Sequence, residues 1–169
     1  MIRLIGAALV AAGAGWLGFQ AAGSLRRRVG AIRQMAEGLA LLERELELNA
    51  APLPRLMALG AAQGEGPARE LFQGCLQGLD RLDQEDFPSL WRRLAAQRQE
   101  LGPEGQALLL PLGSVLGRCA GQRQLERLSA ARRALEELAG RLEEDCRRQG
   151  RVYQVLGLSG GAFLVILLL

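Results

Sequence analysis

Arg147–Leu169 reads RRQGRVYQVLGLSGGAFLVILLL. Arg147, Arg148 and Arg151 stand just ahead of an apolar run, Val152 to Leu169, of about 18 residues with no charged side chain inside it. A helix that crosses a bilayer core of about 30 Å needs roughly 20 such residues. The start of the chain mirrors the end: Leu4 to Leu25 is apolar, and Arg26, Arg27 and Arg28 follow. The expected organisation is therefore a transmembrane anchor over 1–25, a polar domain over 26–151 and a second transmembrane anchor over 152–169.

Charge sets the expected orientation. Both apolar runs carry their arginines on the side of the middle domain, so the positive-inside rule places that domain in the cytoplasm and both termini across the membrane. Arg26, Arg27, Arg28, Arg147, Arg148 and Arg151 are then membrane-boundary residues, able to meet lipid headgroups. Arginines directly after the first run resist translocation, which favours an anchor over a cleaved signal peptide. Ala7, Ala11 and Gly15 recur every four residues, as do Ala14 and Gly18, a pattern that lets membrane helices approach closely.

The middle domain is helical by composition. Aromatic residues are only 4% of the 169, β-branched residues are few, and Ala, Leu, Arg, Glu and Gln abound. Every basic residue is Arg, and there is no Lys and no His. Without Lys there is no Walker A phosphate loop, so the chain is not a P-loop ATPase by itself. Without His there is no Ser–His triad and no His metal ligand. Cys75, Cys119 and Cys146 are far apart and read as free thiols, so no metal and no cofactor is expected. A net charge of +3 with Arg and Glu interleaved gives no case for nucleic acid.

Periodicity places the helices. Leu25, Val29, Ile32, Ala36, Leu39, Leu42 and Leu46 make one apolar face, and Pro52 and Pro54 end that helix and open a short one to about Ala62. Gln63–Gly66 is a turn, and Pro67 opens a helix carrying Leu71, Phe72, Cys75, Leu76, Leu79 and Leu82. Pro88 opens another, with Leu90, Trp91 and Leu94. Gly102-Pro103 breaks it, and Ala107–Leu116 reads as one buried helix. A long helix from about Gln122 to Arg151 carries Leu125, Leu128, Ala131, Leu135, Leu138 and Leu142. Glu144/Arg148 is among its i,i+4 acid-then-base pairs. The expected fold is an all-α antiparallel bundle between N- and C-terminal transmembrane helices.

One cluster stands out as a candidate contact surface. Asp80, Asp83, Glu85 and Asp86 crowd the link before the Pro88 helix. Carboxylates so placed suit a helix N-terminus, and they also offer a negative face to a partner. The links Gln63–Gly66 and Gln84–Pro88 are both expected at the membrane-distal end, because the short helices must cap the long ones.

Several short pieces resemble the stage III sporulation protein AB family over the whole chain. They are Leu4-Ile5-Gly6-Ala7 with Gly18-Phe19, Pro52-Leu53-Pro54, Gly113 with Leu116-Gly117 and Gln124, Tyr153-Gln154-Val155-Leu156-Gly157, and Gly160-Gly161 with Val165-Ile166-Leu167-Leu168. Where that family tends to have a Ser/Thr-Asp pair after Leu-Gly, this chain has Cys119-Ala120. The resemblance implies a non-enzymatic membrane component of the secretion-like apparatus between mother cell and forespore, in the mother-cell membrane around the forespore. It implies a helical domain like that of type II secretion platform proteins. It also implies a partner ATPase, stage III sporulation protein AA, beside other apparatus subunits. The competing reading is a pore subunit. The apolar runs carry no charged interior residue, with Gln20, Gln154 and Ser159 among their few polar groups, which makes a poor aqueous lining.

Overall fold

The computed structural model describes the backbone of residues 2–80, 85–118 and 122–168, and the side chains of 23–80, 85–116 and 122–148. Among the described residues seven α-helices follow in order: α1 (Ile2–Asn49), α2 (Leu53–Gln63), α3 (Gly66–Leu79), α4 (Phe87–Ala96), α5 (Gly102–Leu109), α6 (Leu112–Arg118) and α7 (Gln122–Leu168). A 3₁₀ turn, Gln99–Leu101, precedes α5. No strand occurs among the described residues. The chain divides into two compact units, Arg28–Gly140 and the pair Met1–Arg27 with Arg141–Leu169.

Proline punctuates the bundle in one repeated way. Pro54, Pro67, Pro88 and Pro103 each sit at the start of a helix, α2, α3, α4 and α5. The ring presets a helical φ, and the missing N–H is one the first turn does not use. The C-terminus of α1 is closed differently. Ala50 takes a left-handed φ of 43° and its N–H donates to the Leu46 carbonyl at 3.1 Å. That is the left-handed helix cap usually given to glycine, and for alanine it costs about 1–2 kcal/mol.

The core is built on the α1 face read from the sequence. Val29, Ile32, Ala36, Leu39, Leu42 and Leu46 are all buried, joined by Met35. The other long helix contributes Leu128, Leu135 and Leu138. Gly105 of α5 fits between them, close to both Ile32 and Leu138. Phe72 fills the space opened by glycines: a Cβ at Gly38 would stand 2.6 Å from Ala68 Cβ and 3.0 Å from the Phe72 ring. Trp91 is fully buried, with Phe72 and Phe87 at ring-centroid distances of 6.4 and 6.1 Å. Its indole N–H donates to the Leu109 carbonyl at 2.8 Å, so the one polar atom of the ring is satisfied in the core.

Helix directions follow from these contacts. Gly66 stands against Gln34 and Phe72 against Gly38, so α3 runs the same way as α1. Gly74 and Gly78 meet Leu94 and Leu90, so α4 runs back. Gly102 reaches Arg28, where the 113-residue-long unit begins and α5 turns upward again. Three expectations change. The turn Gln63–Gly66 lies beside Gln34, near the Arg28 end, not at the Asn49 end. The helix after Trp91 ends at Ala96, well before Gly102. Ala107–Leu116 is not one helix: it divides at Leu110 and Pro111, because a proline there has no N–H to continue the helix. Leu109, Leu112 and Leu116 are buried on either side, while Leu110 is left exposed.

Candidate docking surface

The acidic cluster is only partly a bare negative face. Asp80 is exposed and ends α3, its N–H donating to the Gly78 carbonyl. Asp86 precedes α4 in an extended conformation, and its carbonyl accepts the N–H groups of Ser89 and Leu90 at 3.0 and 3.1 Å. Glu85 is taken by Arg93: Nη2 lies 2.6 Å from Oε2 and Nε 3.3 Å from Oε1. This two-point hydrogen bond holds the Glu85 carboxyl below its ordinary pKa and raises that of Arg93. Beside the pair lies a shallow groove of about 370 Å³ bounded by Gly74, Gly78, Leu90 and Leu94. Asp83 lies outside the described residues.

The arginines expected at the membrane boundary do not behave alike. Arg26, Arg27, Arg147 and Arg148 are exposed, and Arg148 pairs with Glu144 at 3.1 Å. Arg151 has no described side chain. Arg28 turns into the protein instead. Its Nε donates to the Leu101 carbonyl at 3.1 Å, and its Nη2 is shut from solvent without a hydrogen-bond partner. The approach requires Gly102, whose φ is +68° and whose Cβ, if present, would stand 2.5 Å from Arg28 Nε. A sequence signal for this existed: Arg28 lies four, seven and eleven residues before Ile32, Met35 and Leu39, on the buried stripe.

Arg132 makes a second unforeseen link. It joins α7 to α1 through Glu43 at 2.6 Å and also takes Glu136 at 2.6 Å, and both carboxylates push its guanidinium pKa upward. Its opposite neighbours are a base-then-acid pair along α7, the reverse of the order sought in the sequence.

A further concavity lies at the Asn49 end. A groove of about 490 Å³ runs between the α1–α2 link and the start of α7, walled by Leu46, Ala51, Leu53, Leu116 and Leu125. Gln122 and Gln124 of α7 and Glu47 of α1 are its polar residues. Gln124 is only 6% exposed, the one polar residue among the described ones in the core set. The sequence offered Gln124 only as part of a family resemblance.

The two described thiols, Cys75 and Cys146, are both free. Cys75 is buried in the core, and desolvation pushes its pKa up to about 12, so it stays a neutral thiol. Cys146 is half-exposed, and Cys119 lies outside the described residues. Among the described residues no group of three or more potential metal ligands comes together. Also among them, no helix is long and apolar enough to cross a membrane. The side chains of both apolar runs, residues 1–22 and 149–169, fall outside that set.

An all-helical bundle with a long helix at each end of the chain is thus the class of protein defined here. The chain belongs to the stage III sporulation protein AB family, whose sequence model matches residues 3–169. It is 24% identical to stage III sporulation protein AB of Bacillus subtilis (strain 168) over 176 residues, covering all of both chains. A solved structure of stage III sporulation protein AB superimposes with a TM-score of 0.61 at 22% identity, covering 72% of this chain and 97% of the other. The likeness is therefore one of fold.

Proposed function

We propose that this chain is a membrane-held platform of the mother cell–forespore apparatus that docks a cytoplasmic ATPase. One observation carries the reading. α1 and α7 are each continuous from the bundle into an apolar terminal run, α1 from Ile2 and α7 to Leu168. A bundle joined by helix to two membrane anchors is suited to receive a partner in the cytoplasm and act on an assembly in the membrane. Family membership supplies the sporulation setting. The lack of Lys means that ATP hydrolysis by a P-loop has to come from another chain, and the counterpart proposed is stage III sporulation protein AA. On this reading 1–25 and 152–169 span the mother-cell membrane around the forespore, and the domain 26–151 faces the cytoplasm.

The test is binding of the full chain in lipid nanodiscs to the purified ATPase, measured by interferometry at moderate salt. Saturable binding supports the platform. Absence of binding, together with ion conductance by the reconstituted chain, would favour a pore subunit. Labelling of single cysteines placed at Ser24 and Gln149 from the cytoplasmic side checks the orientation.

A further inference from the structure

Two exposed features of the bundle complement each other and stand at the same level. The first is a corner near the end of α1. Leu48 is 70% exposed there, and next to it Glu47 is exposed and makes no ion pair among the described residues. The second is a groove of about 420 Å³ where α5, α6 and α7 meet. Leu108, Leu112, Val115, Ala130 and Ala134 give it an apolar lining, and Arg127 is its charged residue. Arg127 is exposed and likewise makes no ion pair among the described residues. We infer that this groove takes the Glu47-Leu48 corner of a second copy of this chain, with Leu48 against the alanines of α7 and Glu47 against Arg127.

The chemistry names the occupant on two counts. Short alanine side chains on α7 leave room for a leucine, and covering Leu48 removes its apolar surface from water. The charge on each side is the one the other lacks, and an acid facing a base fixes the orientation of the contact. Arg123 stands one turn before Arg127 on α7 and outweighs the neighbouring Glu126, so that end of the groove is positive.

The levels agree as well. Glu43 of α1 meets Arg132 of α7, and Ile32 and Leu138 meet at Gly105, so the two helices are antiparallel. Leu48 is five residues past Glu43, and Arg127 is five residues before Arg132. At 1.5 Å per residue each lies about 7–8 Å beyond the Glu43–Arg132 link, toward the Asn49 end. Arg44, three residues back from Glu47, stands about 4–5 Å below Glu47, away from Arg127. Corner and groove lie on different elements, so each copy gives its corner to one neighbour and its groove to another. With no step in height, copies held in one membrane with one orientation follow each other in its plane, and a contact of this kind closes into a ring rather than climbing into a filament. The inference goes beyond the platform reading and rests on it only for the shared membrane and orientation.

The test uses the full chain in mild detergent, with self-association followed by sedimentation equilibrium. Leu48→Asp, Glu47→Arg and Arg127→Glu all change exposed side chains and should leave the melting temperature in place. Wild type should assemble, and each single variant should do so at least about tenfold more weakly. Glu47→Arg combined with Arg127→Glu should recover most of the loss. In liposomes, with Cys119→Ser and Cys146→Ser as background, a copy carrying Leu48→Cys should form a disulfide with a copy carrying Ala130→Cys and none with its own kind. A monomeric wild type, equal assembly of all the variants, or a disulfide between two Leu48→Cys copies each overturns the inference. So does a monomeric chain whose Ala130 position is shielded by the ATPase, which gives the groove to that partner and leaves the platform standing. Assembly through the corner and groove without ATPase binding removes the platform and supports this contact.

Discussion

Gly102 and Arg28 should behave as one energetic unit. In the sequence Arg28 reads as a boundary residue, yet its guanidinium donates to the Leu101 carbonyl over the bare face of Gly102. Replacing Gly102 by Ala forces a φ of +68° on a residue with a Cβ, at about 1–2 kcal/mol. The same Cβ would stand 2.5 Å from Arg28 Nε, so the guanidinium is displaced and its hydrogen bond lost, at roughly 1.5–3 kcal/mol for a charged donor. Gly102→Ala alone should thus cost about 3–5 kcal/mol, the sum of those two terms. In an Arg28→Ala background only the backbone strain remains, about 1–2 kcal/mol. Urea unfolding in mild detergent, followed by Trp91 fluorescence after Trp16→Phe, gives all four corners of the cycle. The coupling should be roughly 1.5–3 kcal/mol. Effects that add to within about 0.5 kcal/mol would refute the contact. No loss of stability in Arg28→Ala would return Arg28 to the lipid boundary.

Cys75 should resist a thiol reagent at pH 8 in the folded chain and react on unfolding, while half-exposed Cys146 reacts first. Below about pH 9 the Cys75 thiol is neutral in both states and gives no pH dependence. Above it the unfolded thiol ionises while the folded one, at about 12, does not, so stability falls by roughly 1.4 kcal/mol per pH unit. Cys75→Ala should flatten that slope. Gly113→Ala places a methyl 2.9 Å from Trp91 Cβ and Cδ1, and should cost about 1–3 kcal/mol and shift Trp91 emission. Ala50→Gly should stabilise the fold by about 0.5–1 kcal/mol, read as a higher urea midpoint, because glycine carries less of the left-handed penalty.

Periodicity alone reaches the α1 stripe, because spacings of four and three are the signature of one helical face. The same logic reaches Leu128, Leu135 and Leu138 on α7. It fails where a single residue overrides the pattern. Leu108, Leu109 and Leu110 look continuous with Leu112, but Pro111 removes one N–H and the helix restarts. Arg28 was assigned by its charge and its two neighbours, when its position on the stripe said otherwise. Arg132–Glu43 was not legible at all, since the partners are 89 residues apart and nothing local marks the pairing. Gln124 is hidden for the opposite reason: a glutamine one residue before a leucine of the apolar stripe reads as surface, and only packing shows it to be inside. The apolar terminal runs stay readings of composition.

The Arg132–Glu43 link sets an order of assembly. α2 with α3, and α3 with α4, are neighbours in the chain and close short loops, which costs little entropy. The pairing of α7 with α1 closes a loop of nearly the whole bundle and comes late for the same reason. Until it forms, Leu138 is missing from its place beside Gly105 and Ile32, and Leu128 and Leu135 are not yet buried. A chain interrupted before Leu128 would therefore hold its short helices together and still offer an uncovered greasy strip to any other unfinished copy. Aggregation during synthesis, rather than loss of any one contact, is the failure this topology invites.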